Sequence, residues 1–129
     1  LAFAPYDALV PTPTDSEASV LVTCERDGGP QNVTLVLQAS QGMNSTSVNA
    51  RRLAHAGGTS DTLNYGLYTD PGRSNVLGMT EGINTLRVSL SIPNKSSATR
   101  RLTIFGRIPA GQDVTVGNYT DTVHLTLMY

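Results

Sequence analysis

Apolar residues recur at every second position in several short stretches of this chain, and turn-forming residues separate the stretches. Alternation of this kind marks a β-strand with one buried face. Val20, Val22 and Cys24 alternate within residues 19–25. Val33, Leu35 and Leu37 follow in the next run, then Leu63, Tyr65 and Leu67, then Leu86, Val88, Leu90 and Ile92, then Leu102 and Ile104. Residues 51–55 read as a weaker strand, and residues 1–4 as a short first one. Between these runs lie Thr12, Pro13 and Asp15, then Asp27-Gly28-Gly29-Pro30, Gln41-Gly42-Met43-Asn44, Gly57-Gly58 and Asp70-Pro71-Gly72. Their Gly, Pro and Asp content suits tight turns. No window of a dozen residues carries helical spacing with a cap and a stop. Seven or eight short strands at regular spacing predict an all-β antiparallel sandwich with Greek-key connections.

Residues 117–129 carry the clearest alternation. They read as a turn followed by one strand running to Tyr129. Val123, Leu125, Leu127 and Tyr129 fall on one face, and Thr122, His124, Thr126 and Met128 on the other. What lies beside this strand is the question the pattern raises.

Composition narrows the class. At 129 residues, with no internal repeat or linker, the chain reads as a single domain over 1–129. A hydrophobic fraction of 39% and a charged fraction of 15% suit a sandwich with a polar, weakly charged surface. The net charge of −1 gives no electrostatic case for nucleic acid. No apolar run reaches the ~20 residues needed to span a bilayer as a helix, so no membrane insertion is expected. The chain opens on Leu1-Ala2-Phe3-Ala4 without an initiator Met, and the simplest reading is that a leader has been removed.

The search for chemistry is poor in candidates. His55 borders a Gly-rich loop, and His124 alternates with apolar residues and so should face solvent. A lone surface His is far more often inert than catalytic. No Cys/His cluster has zinc spacing, and the scattered acids form no calcium loop. Gly57-Gly58 is followed by no Lys and opens no helix, so it is no phosphate loop. The pairs Arg51-Arg52 and Arg100-Arg101 are too short for nucleic-acid patches. Four Asn-x-Ser/Thr sequons, at Asn32, Asn44, Asn94 and Asn118, arise easily by chance in so Asn-, Ser- and Thr-rich a chain. No cofactor, metal or catalytic residue is expected, and the chain reads as not an enzyme. Cys24 is an odd cysteine: a small buried hydrophobe on a strand, or half of a bridge whose partner lies elsewhere.

Several segments, in order, resemble one family. Leu1 to Asp7 resembles an "FG-x-Y" segment with Ala4 where Gly is usual, and Val20-Leu21-Val22-Thr23-Cys24 a strand ending in Cys. Arg51-Arg52-Leu53 resembles "RRM", residues 63–70 "L-x-Y-x-L-Y-x-D", and residues 105–112 "YGRIPAGQ". Residues 117–129 match a "G-x-Y-x-D-T-v-x-v-x-v-x-Y" ending. Together they resemble the spore coat protein U domain family, which includes subunits of archaic chaperone–usher pili. The resemblance implies an incomplete immunoglobulin-like sandwich lacking one strand, with an acceptor groove completed by a donor strand from the next subunit. Leu1, Phe3, Val123, Leu125, Leu127 and Tyr129 would line that groove. It implies that Cys24 pairs with a cysteine in a missing N-terminal segment, which would also hold the donor strand. The implied partners are neighbouring fibre subunits, a periplasmic chaperone and an outer-membrane usher. The implied destination is a surface fibre or spore coat, reached through the periplasm. The alternative is a tip adhesin domain of the same fibre, with Val76-Leu77-Gly78-Met79 as a candidate contact loop if those residues are not a buried strand.

Overall fold

The computed structural model describes residues 1–129. Eight strands form: β1 (Thr14–Glu25), β2 (Gln31–Ala39), β3 (Arg51–His55), β4 (Thr62–Tyr68), β5 (Leu86–Ile92), β6 (Ser97–Ile108), β7 (Tyr119–Thr120) and β8 (Leu125–Met128). One sheet has the order β1-β6-β4-β3-β7 and the other β5-β2-β8, and every pairing is antiparallel. Successive strands switch sheets, β1 to β2 and β5 to β6, the connectivity of an immunoglobulin-like sandwich. The all-β class read from the sequence is therefore the class the chain adopts.

The alternating residues supply the core. Leu35, Leu37, Leu63, Leu67, Leu90, Ile92, Leu102 and Ile104 form one buried cluster between the sheets. Full burial of a Leu or Ile side chain contributes roughly 1.5–3 kcal/mol. Leu77 joins this core with no exposed surface, yet its segment is not a strand. Only Val76 forms an isolated bridge, to Tyr68, and Met79 is exposed, so residues 76–79 are neither a strand nor buried as a unit.

Three further expectations give way. Asp15 lies within β1, not in a loop, because β1 begins five residues before Ser19. Its early inward positions Thr14, Ser16 and Ala18 are small or polar and carry no apolar signal. The same smallness makes room for the N-terminus. Phe3 lies over Gly106, where an added Cβ would come within 2.8 Å of its ring, and packs edge-on against Tyr65 at 6.3 Å. Residues 1–4 thus form no strand. Their hold on β1 is the Ser16 hydroxyl donating to the Ala2 carbonyl at 2.5 Å, and only Tyr6 forms a bridge, to Gly117.

The terminal segment is two strands in different sheets. β7 pairs with β3, the chain crosses over through residues 121–124, and β8 pairs with β2. Val123 lies in the crossover and Tyr129 beyond the end of β8. A two-residue strand is too short to show as alternation, which is why β7 was not legible.

Candidate functional site

β1 is the edge of the five-stranded sheet and β8 the edge of the three-stranded one. A groove runs between them. Its first part, a cavity of about 650 Å³, is lined by Leu1, Phe3, Ala18, Val20, Val123 and Leu125, with Leu53, Tyr65, Leu67 and Ile104 as its floor. Its second part, about 810 Å³, is lined by Val22 and Cys24 on one side and Leu127 and Tyr129 on the other, with Val33 and Ile92 between. Of the residues singled out in the sequence, Leu1, Phe3, Val123 and Leu125 line the first cavity and Leu127 and Tyr129 the second.

The order of lining residues gives the groove a direction. Ala18 and Val20 lie with Val123 and Leu125, and Val22 and Cys24 lie with Leu127 and Tyr129. β1 and β8 therefore run parallel to one another across the gap. Neither has a backbone partner on the groove side. β8 also ends before β2 does: β2 reaches back to Gln31, but its pairing with β8 stops at Val36. The groove thus combines unpaired backbone groups with apolar walls. Leu125 is 45% exposed and Tyr129 88%, although both lie on the apolar face of the alternation.

Cys24 is a half-buried free thiol at the far end of this groove. The histidines are held elsewhere. The Gly57 N–H donates to His55 Nδ1 at 3.1 Å, and the ring stands edge-on to Tyr119 at 5.0 Å. With Nδ1 accepting, the neutral ring carries its proton on Nε2, toward the Val116 carbonyl. That is a turn-fixing role. His124 is exposed, and its backbone N–H donates to the Ser40 hydroxyl at 3.0 Å. No three His, Cys, Asp or Glu side chains converge as a metal site.

Sequence reasoning missed a polar cluster at the floor of the groove, where Tyr65 and Asp121 line the first cavity and Arg51 lies buried behind them. Arg51 is completely buried, and its guanidinium donates to the carbonyls of Ala39, Ser40 and Val48 at 2.8–3.2 Å. Burial pulls its pKa down, while nearby Tyr65 and Asp121 oppose that shift. Tyr65 donates to the Asp121 carboxylate at 2.5 Å. Burial, and then this hydrogen bond, push the Tyr65 hydroxyl far above its ordinary range. An arginine in the phase of a strand's buried face was the available signal, since Arg is almost never fully buried unless paired.

Comparison with known proteins places the chain. Protein U of Myxococcus xanthus is 32% identical over 101 residues, covering 74% of this chain and 52% of that protein. The chain thus spans about half the length of the curated relative it matches. Among solved structures, the CsuC–CsuE chaperone–tip adhesion subunit pre-assembly complex from archaic chaperone–usher Csu pili of Acinetobacter baumannii gives a loose likeness. Its TM-score is 0.47 at 14% identity, over 87% of this chain and 40% of that one. The Spore Coat Protein U domain family matches residues 1–126, and the chain belongs to that family.

Proposed function

We propose that this domain is a structural, non-enzymatic subunit of a bacterial surface fibre or spore coat, and that it assembles by accepting a β-strand from a neighbouring subunit between β1 and β8. The observation that carries this reading is the coincidence of two open sheet edges with an apolar groove. Either alone is an aggregation hazard in a free domain. Together they suit strand addition, in which backbone hydrogen bonds give affinity and alternate side chains entering pockets give register. Because β1 and β8 run parallel, one inserted strand can lie antiparallel to both. Cys24, free and half-buried, would take its disulfide partner from an N-terminal segment of the same polypeptide.

Such a groove needs cover before assembly, which a periplasmic chaperone would supply and an outer-membrane usher would exchange. The route would pass through the periplasm to the cell surface. The test is a synthetic peptide of nine residues alternating Val and Thr, with a scrambled control. Binding of the alternating peptide alone, with a rise in thermal stability, supports the reading. No binding and no rise would sink it. The alternative role as a tip adhesin is favoured by exposed Met79 and Ile83 on one loop. Deleting the gene separates the two: loss of whole fibres marks a structural subunit, and intact but non-adherent fibres mark a tip.

A further inference from the structure

The β8 wall of the groove is held by little backbone. It pairs with β2 over four residues, from Val36↔Met128 to Ala39↔Leu125, and has no partner on the open side. An edge strand so short and half-paired should fray unless something else fixes it. The structure supplies two polar ties on the approach to β8, one at His124 just before the strand and one at Asp121 where the crossover leaves β7, and both reach across from the opposite sheet.

The first tie begins at Arg51 on β3. Its Nη2 donates to the carbonyls of Ala39 and Ser40, at the end of β2. Ser40 in turn holds the residue before β8: its N–H donates to the His124 carbonyl at 2.9 Å, and its hydroxyl accepts from the His124 N–H at 3.0 Å. The second tie begins at Tyr65 on β4, which donates to Asp121 in the crossover. The other carboxylate oxygen of Asp121 accepts from the Met43 N–H at 3.0 Å and the Asn44 side-chain amide at 2.9 Å. Gly42 lets the loop come this close. Its φ is +88°, and a Cβ there would collide with the Asp121 carboxylate. Gly42 also donates to the Ser40 hydroxyl, at 3.3 Å, which joins the two ties.

We propose that Arg51, Tyr65 and Asp121 are positioning residues that hold the β8 wall in its strand-accepting place while the groove is empty. The proposal rests on the strand-accepting reading of the groove. A buried arginine and a partly buried tyrosine–carboxylate pair cost desolvation that apolar residues would avoid, so stability alone is a weak reason for them. A fixed wall is a better one: a preformed groove spares the incoming strand the cost of ordering β8.

The experiment compares the 129-residue chain with Tyr65→Phe and Asp121→Asn by native-state hydrogen exchange, with and without the alternating peptide. Tyr65→Phe keeps the ring that lines the groove and removes only the tie. In both variants we expect β8 amides to exchange roughly tenfold faster or more, from the loss of one charge-assisted hydrogen bond. Amides of β1 and β6 should keep their rates, and peptide affinity should fall by a similar factor. Unchanged β8 rates would overturn the proposal. So would an equal acceleration everywhere, which would make the cluster merely a contributor to global stability, or a loosened β8 that binds peptide as well as the parent chain. If the parent chain binds no peptide, the strand-accepting reading falls and the positioning role falls with it, whereas the β8 rates still decide whether the clamp exists.

Discussion

β6 and β8 both alternate apolar with polar residues, yet β6 is paired along both edges, over twelve residues with β1 and over three with β4. β8 is paired over four residues with β2 and has nothing on its other side. The inward side chains of β6, Leu102, Ile104 and Ile108, are buried. Those of β8 and its flanks are not: Val123 and Leu127 are half-buried, Leu125 is 45% exposed and Tyr129 88%. The same pattern therefore has two meanings. In β6 it records a core already formed, and in β8 it records a surface shaped for burial that this chain does not itself supply.

Mutation separates the two meanings most strongly at paired sites. Leu35→Ala, in the closed part of the core, should lower the free energy of unfolding by about 3 kcal/mol in urea titrations. Leu125→Ala on the open wall should cost under about 1 kcal/mol in the empty domain, because much of that side chain is already solvated. The same Leu125 variant should lose most of its affinity for an alternating peptide. Equal losses of stability at both sites would erase the distinction between the regions.

Filling the groove should convert the second region into the first. At a peptide concentration a hundred times its dissociation constant, binding stabilises by about 2.7 kcal/mol. For a domain of this length that raises Tm by roughly 10 °C, read by scanning calorimetry. Gly42→Ala should act next most strongly. The added methyl meets both a positive φ and the Asp121 carboxylate, so a loss of about 2 kcal/mol is expected. Thermal unfolding of the purified variant checks it.

Much of this difference was legible in the sequence, and part was not. The alternation placed β2, β4 and β5 because large apolar residues occupy three or more successive inward positions in each. It shortened β1, because Thr14, Ser16 and Ala18 point inward without being large and leave their space to Leu1 and Phe3. It merged β7 with β8, because a crossover carrying Val123 keeps the phase of the alternation while the chain changes sheet. The groove residues were visible as an alternating row. The clamp below them was not, because Arg51, Tyr65 and Asp121 come together only through pairing of β3 with β4 and the crossover from β7. Arg51 in particular read only as half of a basic pair too short for a nucleic-acid patch.

The smallest expected effect lies on the closed side. Asp15 on β1 pairs with Arg107 on β6, Oδ1 accepting from Nε at 2.7 Å and Oδ2 from Nη2 at 3.0 Å. The hydrogen bond from Arg107 holds the Asp15 carboxyl below its ordinary range. A carboxylate whose folded pKa is depressed adds stability above its unfolded value, and that part is lost as pH falls through the folded one. The window is therefore below about pH 4. The pair is partly exposed, so its share is a few tenths of a kcal/mol. Asp15→Asn should flatten that part of the acid slope in urea midpoints measured from pH 5 to 2, without altering peptide binding. A change in peptide binding would mean that the outer face of β1 communicates with the groove.

The central claim is that the space between β1 and β8 is a strand site. Nuclear Overhauser contacts between the isotope-labelled domain and the unlabelled alternating peptide test it most directly. The predicted result is a ladder of backbone contacts from the peptide to Leu125 and Leu127, in antiparallel register, with every second peptide side chain reaching Val20 or Val22. Contacts confined to the exposed loops, or none to β8 at saturating peptide, would contradict it.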